Sequence, residues 1–183
     1  MIILFGAAGS GKSLQGQQLA ARHDWQWLSV GQLLRDQQDP ELERIMLKGE
    51  LVDDNFVVKM MHDAIVKTEE AGKVAILDGY PRNDWQAEWI VEHGDSKKVD
   101  GAIILRVSRD ELWRRLTERG RADDVREAIE KRWNIFDETI NKMKKILEAD
   151  GVVFTEVDGE GPIDEVTDRI DAVLKDWKLI TEE

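Results

Sequence analysis

Eight residues near the start of the chain carry the clearest chemistry. Gly6-Ala-Ala-Gly-Ser-Gly-Lys-Ser13 has the form G-x-x-x-x-G-K-S and lies between an apolar run, Met1–Phe5, and a helix-favouring stretch, Leu14–Ala21. A strand before and a helix after are the context that makes this pattern a phosphate-binding loop. Its glycines let backbone N–H groups turn inward around phosphate oxygens, and the helix N-terminus adds partial positive charge there. Lys12 is placed to reach β- and γ-phosphates, and the Ser13 hydroxyl to bind Mg²⁺.

A second candidate is Asp78, at the end of the apolar run Val74-Ala-Ile-Leu. A strand-end aspartate beside a phosphate loop can hold Mg²⁺ directly or through water. Gly79, Tyr80, Pro81 and Arg82 follow it. Gly79 and Pro81 demand a tight turn, which holds Arg82 at the same edge. A third group is the arginine cluster Arg114, Arg115, Arg119, Arg121, Arg126 and Arg132. By itself such a cluster is a solvated helix face. Beside a phosphate loop it becomes a site for a polyanionic small molecule, because the guanidinium fork matches phosphate geometry.

These residues need a frame. Five strand-like runs occur, Ile2–Phe5, Trp25–Leu28, Val74–Leu77, Ala102–Val107 and Val152–Val157, with helical patterns between them. That alternation predicts an α/β, three-layer fold: a five-stranded parallel sheet with helices on both faces. The stretch from Ser29 to Ala71 is too long for one crossover. It predicts a helical insertion at 29–71, including a helix over Asp53–Ala71, that covers the carboxyl edge of the sheet, where ligands of open α/β sheets bind. Arg119-Gly-Arg-Ala122 breaks two helical stretches. Asp123 or Asp124 is expected to cap the second. The final helix is expected over Ile163–Leu179, with its apolar face in the core.

The 183 residues are enough for one domain, and the chain has no cysteine, so neither a disulfide framework nor a thiolate metal site is possible. The net charge of −12 argues against nucleic acid or anionic lipid as a partner. No apolar run approaches a membrane span or a secretory signal, so a cytoplasmic location is expected. His23, His62 and His93 lack metal-ligand spacing.

Four motifs, in order, resemble the adenylate kinases of the nucleoside monophosphate kinase family: the phosphate loop, Leu28-Ser-Val-Gly-Gln-Leu-Leu-Arg35, Asp78-Gly-Tyr-Pro-Arg82 with Gln86, and Arg119-Gly-Arg-Ala-Asp-Asp124 with Arg132. They span nearly the whole chain. The resemblance implies a P-loop kinase fold and reversible, Mg²⁺-dependent transfer of the ATP γ-phosphate to AMP by a monomer. It implies that Gly9, Ser10, Gly11, Lys12, Ser13 and Leu14 hold the ATP phosphates, with Arg119 over ATP and Gly161 passing its adenine. Arg35 and Arg82 grip the acceptor phosphate, and Gly79, Tyr80 and Pro81 shape the turn carrying Arg82. Val30, Glu50, Leu51 and Val52 lie along the AMP base, and Gln86 pairs with its edge. Arg121 and Arg132 converge on the transferring group, and Ser13 and Asp78 serve the metal. No protein nucleophile or general base is required.

The chain departs from the family pattern in four places. Val30 replaces a usual threonine, which removes a hydrogen bond near the base. Gln32 replaces an aspartate. Ser13-Leu14 stand where glycine-threonine is usual, so the hydroxyl has moved by one position. The lid is minimal, residues 119–122, with only Gly120 between Arg119 and Arg121, and has no room for zinc. A UMP- or CMP-directed kinase and a non-catalytic adenylate sensor are the competing readings. Gln86 favours AMP. The joint presence of Lys12, Asp78, Arg82, Arg121 and Arg132 favours catalysis.

Overall fold

In the computed structural model, residues 1–122 and 124–181 are described. Five strands form one all-parallel sheet in the order β2-β3-β1-β4-β5. They are β1 Ile2–Phe5, β2 Gln26–Ser29, β3 Ala75–Asp78, β4 Gly101–Arg106 and β5 Phe154–Asp158. Ile2, Ile3, Leu4, Ile76, Leu77, Ile103 and Ile104 are all buried, as strands covered on both faces must be. The helices are α1 Lys12–His23, α2 Val30–Asp36, α3 Pro40–Leu47, α4 Asp54–Glu70, α5 Asp84–Glu92, α6 Arg109–Arg119, α7 Arg126–Ala149 and α8 Ile163–Asp176. One apolar cluster lies between the sheet and α4, α5 and α7; the other lies between the sheet and α1 and α8. This is the P-loop kinase architecture. None of the described helices is long and apolar enough to cross a membrane.

Several boundaries differ from the sequence expectation, each for a physical reason. The apolar run at 152–157 starts inside a helix ending: the Val152 N–H donates to the Leu147 carbonyl at 3.0 Å, so the strand begins only at Phe154. The last helix stops at Asp176, because Lys178 takes φ 60° and the Leu179 N–H closes back on the Leu174 carbonyl. Asp124 does not cap α7. The N-cap position is Val125, which makes no side-chain cap bond, and Asp124 is committed elsewhere; Asp123 lies outside the described residues.

β1 is the central strand, flanked by β3 on one side and β4 on the other, and the sheet order reverses where the chain crosses from β3 past β1 to β4. The loops after β1, β3 and β4 therefore open into one crevice. Three helices, α2, α3 and α4, fill residues 30–70. They are not alike. α4 buries Val57, Val58, Met61 and Ile65 in the main core, whereas α3 buries no residue fully.

Candidate active site

The crevice holds a cavity of about 690 Å³. Its walls include Gly9 to Leu14 after β1, Arg35 from α2, Glu50 and Leu51 after α3, and Asp78, Gly79, Pro81 and Arg82 after β3. Arg119, Arg121 and Arg132 enter from the α6–α7 junction, and Gly161 from the loop after β5. Residues far apart in sequence thus share one space.

The phosphate loop is held by close packing. Gly9 has φ 91°, and a Cβ there would sit 2.9 Å from the Leu112 carbonyl oxygen and 2.9 Å from Leu116 Cγ. Only glycine lets α6 pass so near the loop. Lys12 Nζ donates to the Gly6 carbonyl at 2.6 Å and the Ala7 carbonyl at 3.0 Å. Burial pushes its ammonium down to about 8; Asp78 pulls it up, while Arg82 and Arg119 lower it further. The Ser13 hydroxyl donates to Asp78 Oδ2 at 2.6 Å. Asp78 is 3% exposed and also accepts from the Trp27 indole N–H at 3.3 Å. A hydroxyl and a carboxylate oxygen so close suit a hard cation that keeps water and phosphate in its remaining positions. Among the described residues, no cluster of three His, Cys, Asp or Glu forms a protein-only metal site.

Arg82 is steered by its own turn, with Nε donating to the Gly79 carbonyl at 2.8 Å. Burial lowers its guanidinium from the ordinary value, and Arg132 and Arg35 push the same way against Asp78. Where α6 ends, Arg119 forks onto Asp124 with bonds of 2.7 and 2.5 Å. Arg132 Nη1 lies 3.6 Å from that carboxylate and its Nη2 donates to the Met46 carbonyl at 3.1 Å. Burial alone would raise the Asp124 carboxyl, but the Arg119 fork, the Arg121 N–H and Arg132 hold it below its usual range. The expected helix cap is therefore an arginine organiser.

Val30, Val52, Tyr80 and Gln86 are not on the cavity wall. The first three belong to the buried core. Gln86 is 1% exposed and fully engaged. Its Nε2 donates to Asp54 Oδ1 at 2.7 Å, and its Oε1 accepts from the Arg82 N–H at 2.8 Å. Asn83 donates to the same Asp54 oxygen at 2.9 Å. Trp85 is 40% exposed and also off the wall.

Sequence reasoning missed three residues at this site. Arg115 ties the loop to the β5–α8 connection, donating to the Ser10 carbonyl at 3.4 Å and the Gly159 carbonyl at 2.9 Å. Asp54 holds Gln86. Trp27 touches Asp78 because Gly16 leaves room; a Cβ on Gly16 would lie 2.4 Å from the indole Cδ1. Arg115 was visible only as one of a cluster, and the other two had no sequence signal.

Comparison with known proteins agrees with this geometry. The adenylate kinase family model matches residues 4–152. The chain belongs to the adenylate kinase family. That is a family of phosphotransferases acting on nucleotides. Among its relatives, the adenylate kinase of Maricaulis maris (strain MCS10) is 35% identical, with 96% of this chain and 98% of that protein covered. The adenylate kinase of Parvibaculum lavamentivorans is 36% identical over 94% of this chain and 91% of its own length. The adenylate kinase of Thermus thermophilus is 34% identical, with coverages of 94% and 96%. The four motifs sit in a member whose α6–α7 junction has six residues, 120–125, between the two helices.

Proposed function

We propose that this chain catalyses reversible transfer of the ATP γ-phosphoryl group to AMP, giving two ADP. The observation that carries the reading is one cavity of about 690 Å³ whose wall includes both the phosphate loop and the pair Arg35 and Arg82. A single-nucleotide site would need only the first set. Two anionic substrates meeting head to head need both.

The chemistry follows from the charges. Lys12 lies beside the donor phosphates. Arg35 and Arg82 hold the acceptor phosphate, whose oxygens are already ionised at neutral pH and need no base. Arg119, Arg121 and Arg132 meet the group in flight, where charge spreads over its equatorial oxygens. Ser13 and Asp78 would hold Mg²⁺ with the ATP; when bound, it offsets charge on the β- and γ-phosphates. Residues 119–122 serve as a minimal lid, and α2 and α3 cover the acceptor.

A pyrimidine monophosphate as acceptor is the second reading. It is favoured by the engagement of Gln86 with Asp54, which leaves Glu50 and Leu51 as base-side wall residues. Purified protein with Mg²⁺, ATP and each of AMP, CMP, UMP, GMP and dAMP separates the readings. The expected result is ADP formation fastest with AMP. ADP with CMP or UMP at higher kcat/KM moves the assignment to the pyrimidine reading. ATP binding with no transfer to any acceptor overturns both.

A further inference from the structure

Three consecutive carbonyls of the phosphate loop are held by two side chains. Lys12 takes those of Gly6 and Ala7. The third, on Ala8, accepts from the Trp133 indole N–H at 2.9 Å. Ala8 is on the cavity wall and Trp133 is not; the indole backs the loop from outside. The ring is itself held. Trp113 of α6 meets it edge-on, with centroids 6.5 Å apart and planes at 76°. The Arg109 guanidinium lies 4.6 Å from the ring centroid and is ion-paired with Asp137. Arg126, the first residue of α7, lies 4.4 Å over Trp113. α6 and α7 are thus clamped together beside the loop by two tryptophans and two arginines.

We propose that Trp133 is a positioning residue for the donor nucleotide, anchoring the phosphate loop through the Ala8 carbonyl. The proposal rests on the reading that this loop takes the ATP phosphates. A phosphate entering the loop draws Lys12 away from Gly6 and Ala7, because the ammonium pairs better with an anion than with carbonyls. The Ala8 anchor requires no such exchange. Trp133 also follows Arg132, which is on the cavity wall, so one turn of α7 sets both the loop position and the arginine facing it. A loop held before its ligand arrives loses less freedom on binding.

The test is Trp133→Phe, which keeps an aromatic ring for Trp113 and Arg109 but removes the N–H together with part of the indole, a loss of ring volume that Trp113→Phe reproduces without touching the N–H. One neutral hydrogen bond corresponds to roughly a 3- to 10-fold change. Kd for Mg-ATP by calorimetry and KM for ATP should rise by that factor. KM for AMP should stay within about twofold, and amide exchange over residues 6–11 should quicken. Trp113→Phe, which retains the Trp133 N–H, should leave ATP affinity within about twofold of wild type whatever it does to stability. Unchanged ATP affinity and loop exchange in Trp133→Phe overturn the proposal. So does an equal rise in KM for ATP and AMP, which marks a merely structural role. The calorimetric arm needs no turnover. A wild type that binds ATP but makes no ADP defeats the functional reading alone, while a fully active Trp133→Phe with native ATP affinity defeats this proposal alone.

Discussion

The two covers of the cavity are built in opposite ways. On the donor side, the short junction between α6 and α7 is tied down by the Arg119 fork on Asp124 and by the Arg–Trp clamp behind it. On the acceptor side, α3 has no fully buried residue, and only Leu42, Ile45 and Met46 touch the core. Its carboxyl end reaches α7 through the Arg132 bond to Met46 and an exposed Lys131–Glu50 pair at 3.3 Å. Such exposed pairs contribute little. The cover that includes α3 is thus held by weak contacts, and the α6–α7 junction by stronger ones.

Each wall carries a half-buried cation, and removing either should have the largest effect. Lys12→Ala on the donor wall and Arg82→Ala on the acceptor wall should each lower kcat by about 10²–10³. Steady-state kinetics checks this, with circular dichroism to show that the fold survives. Near-normal turnover by one variant would place the chemistry on the other wall alone.

The walls should also differ in pH response. The Lys12 ammonium is pushed down to about 8, and bound phosphate must raise it again. Below about 8 the lysine is already charged. Above it, ATP binding must take up a proton, so ATP affinity should fall by about tenfold per pH unit until the bound-state value is reached. Calorimetry in buffers of different ionisation enthalpy measures that uptake. Lys12→Arg, which cannot titrate in this range, should be flat. AMP affinity should not follow the same curve over pH 8 to 9. Arg82 already lowers Lys12, so a weak slope is expected; a slope equal to that for ATP would mean that both ligands bind against the same lysine.

Motion sharpens the comparison. A bisubstrate analogue should slow amide exchange over residues 30–53 by about tenfold or more, while residues 124–132 change much less, because they are already tied down. Equal protection of both segments would mean that the donor cover closes too.

Two smaller effects probe the contact between the start of α4 and the turn that leads into α5. Gln86→Ala strands the Arg82 N–H and leaves Asp54 Oδ1 with only the Asn83 amide, and should cost about 1–3 kcal/mol in chemical denaturation. If Gln86 also reads the base, the AMP-to-CMP ratio of kcat/KM should narrow; an unchanged ratio leaves it a structural brace. The Tyr80 hydroxyl is buried without a hydrogen-bond partner among the described residues, and burial, with Asp95 and Asp54 nearby, pushes its ionisation far above the ordinary phenol value. Tyr80→Phe should therefore be neutral or stabilise by about 1 kcal/mol, raising Tm by roughly 2–4 °C with turnover unchanged.

Local pattern alone specified a good deal. The phosphate loop announces itself because its chemistry is made by neighbouring residues on one turn. The parallel sheet is legible because strands buried on both faces must be apolar throughout and their crossovers must be helical. The helix read over Asp53–Ala71 is likewise a short-range matter; it spans Asp54–Glu70, with Asp53 as the cap that accepts from the Phe56 N–H at 3.0 Å. What sequence could not decide are the pairings between residues brought together only by folding. Asp124 reads as a helix cap until Arg119 and Arg132 arrive on either side of it. Gln86 reads as the partner of a base edge, and only folding sets Asp54 of α4 against it. The seven tryptophans look alike in the chain. Trp177 packs over Gly101, Trp27 touches Asp78, and Trp133 holds the phosphate loop. A hydrogen bond needs its partner within about 3 Å. Over 125 residues of chain between Ala8 and Trp133, only tertiary packing sets that distance.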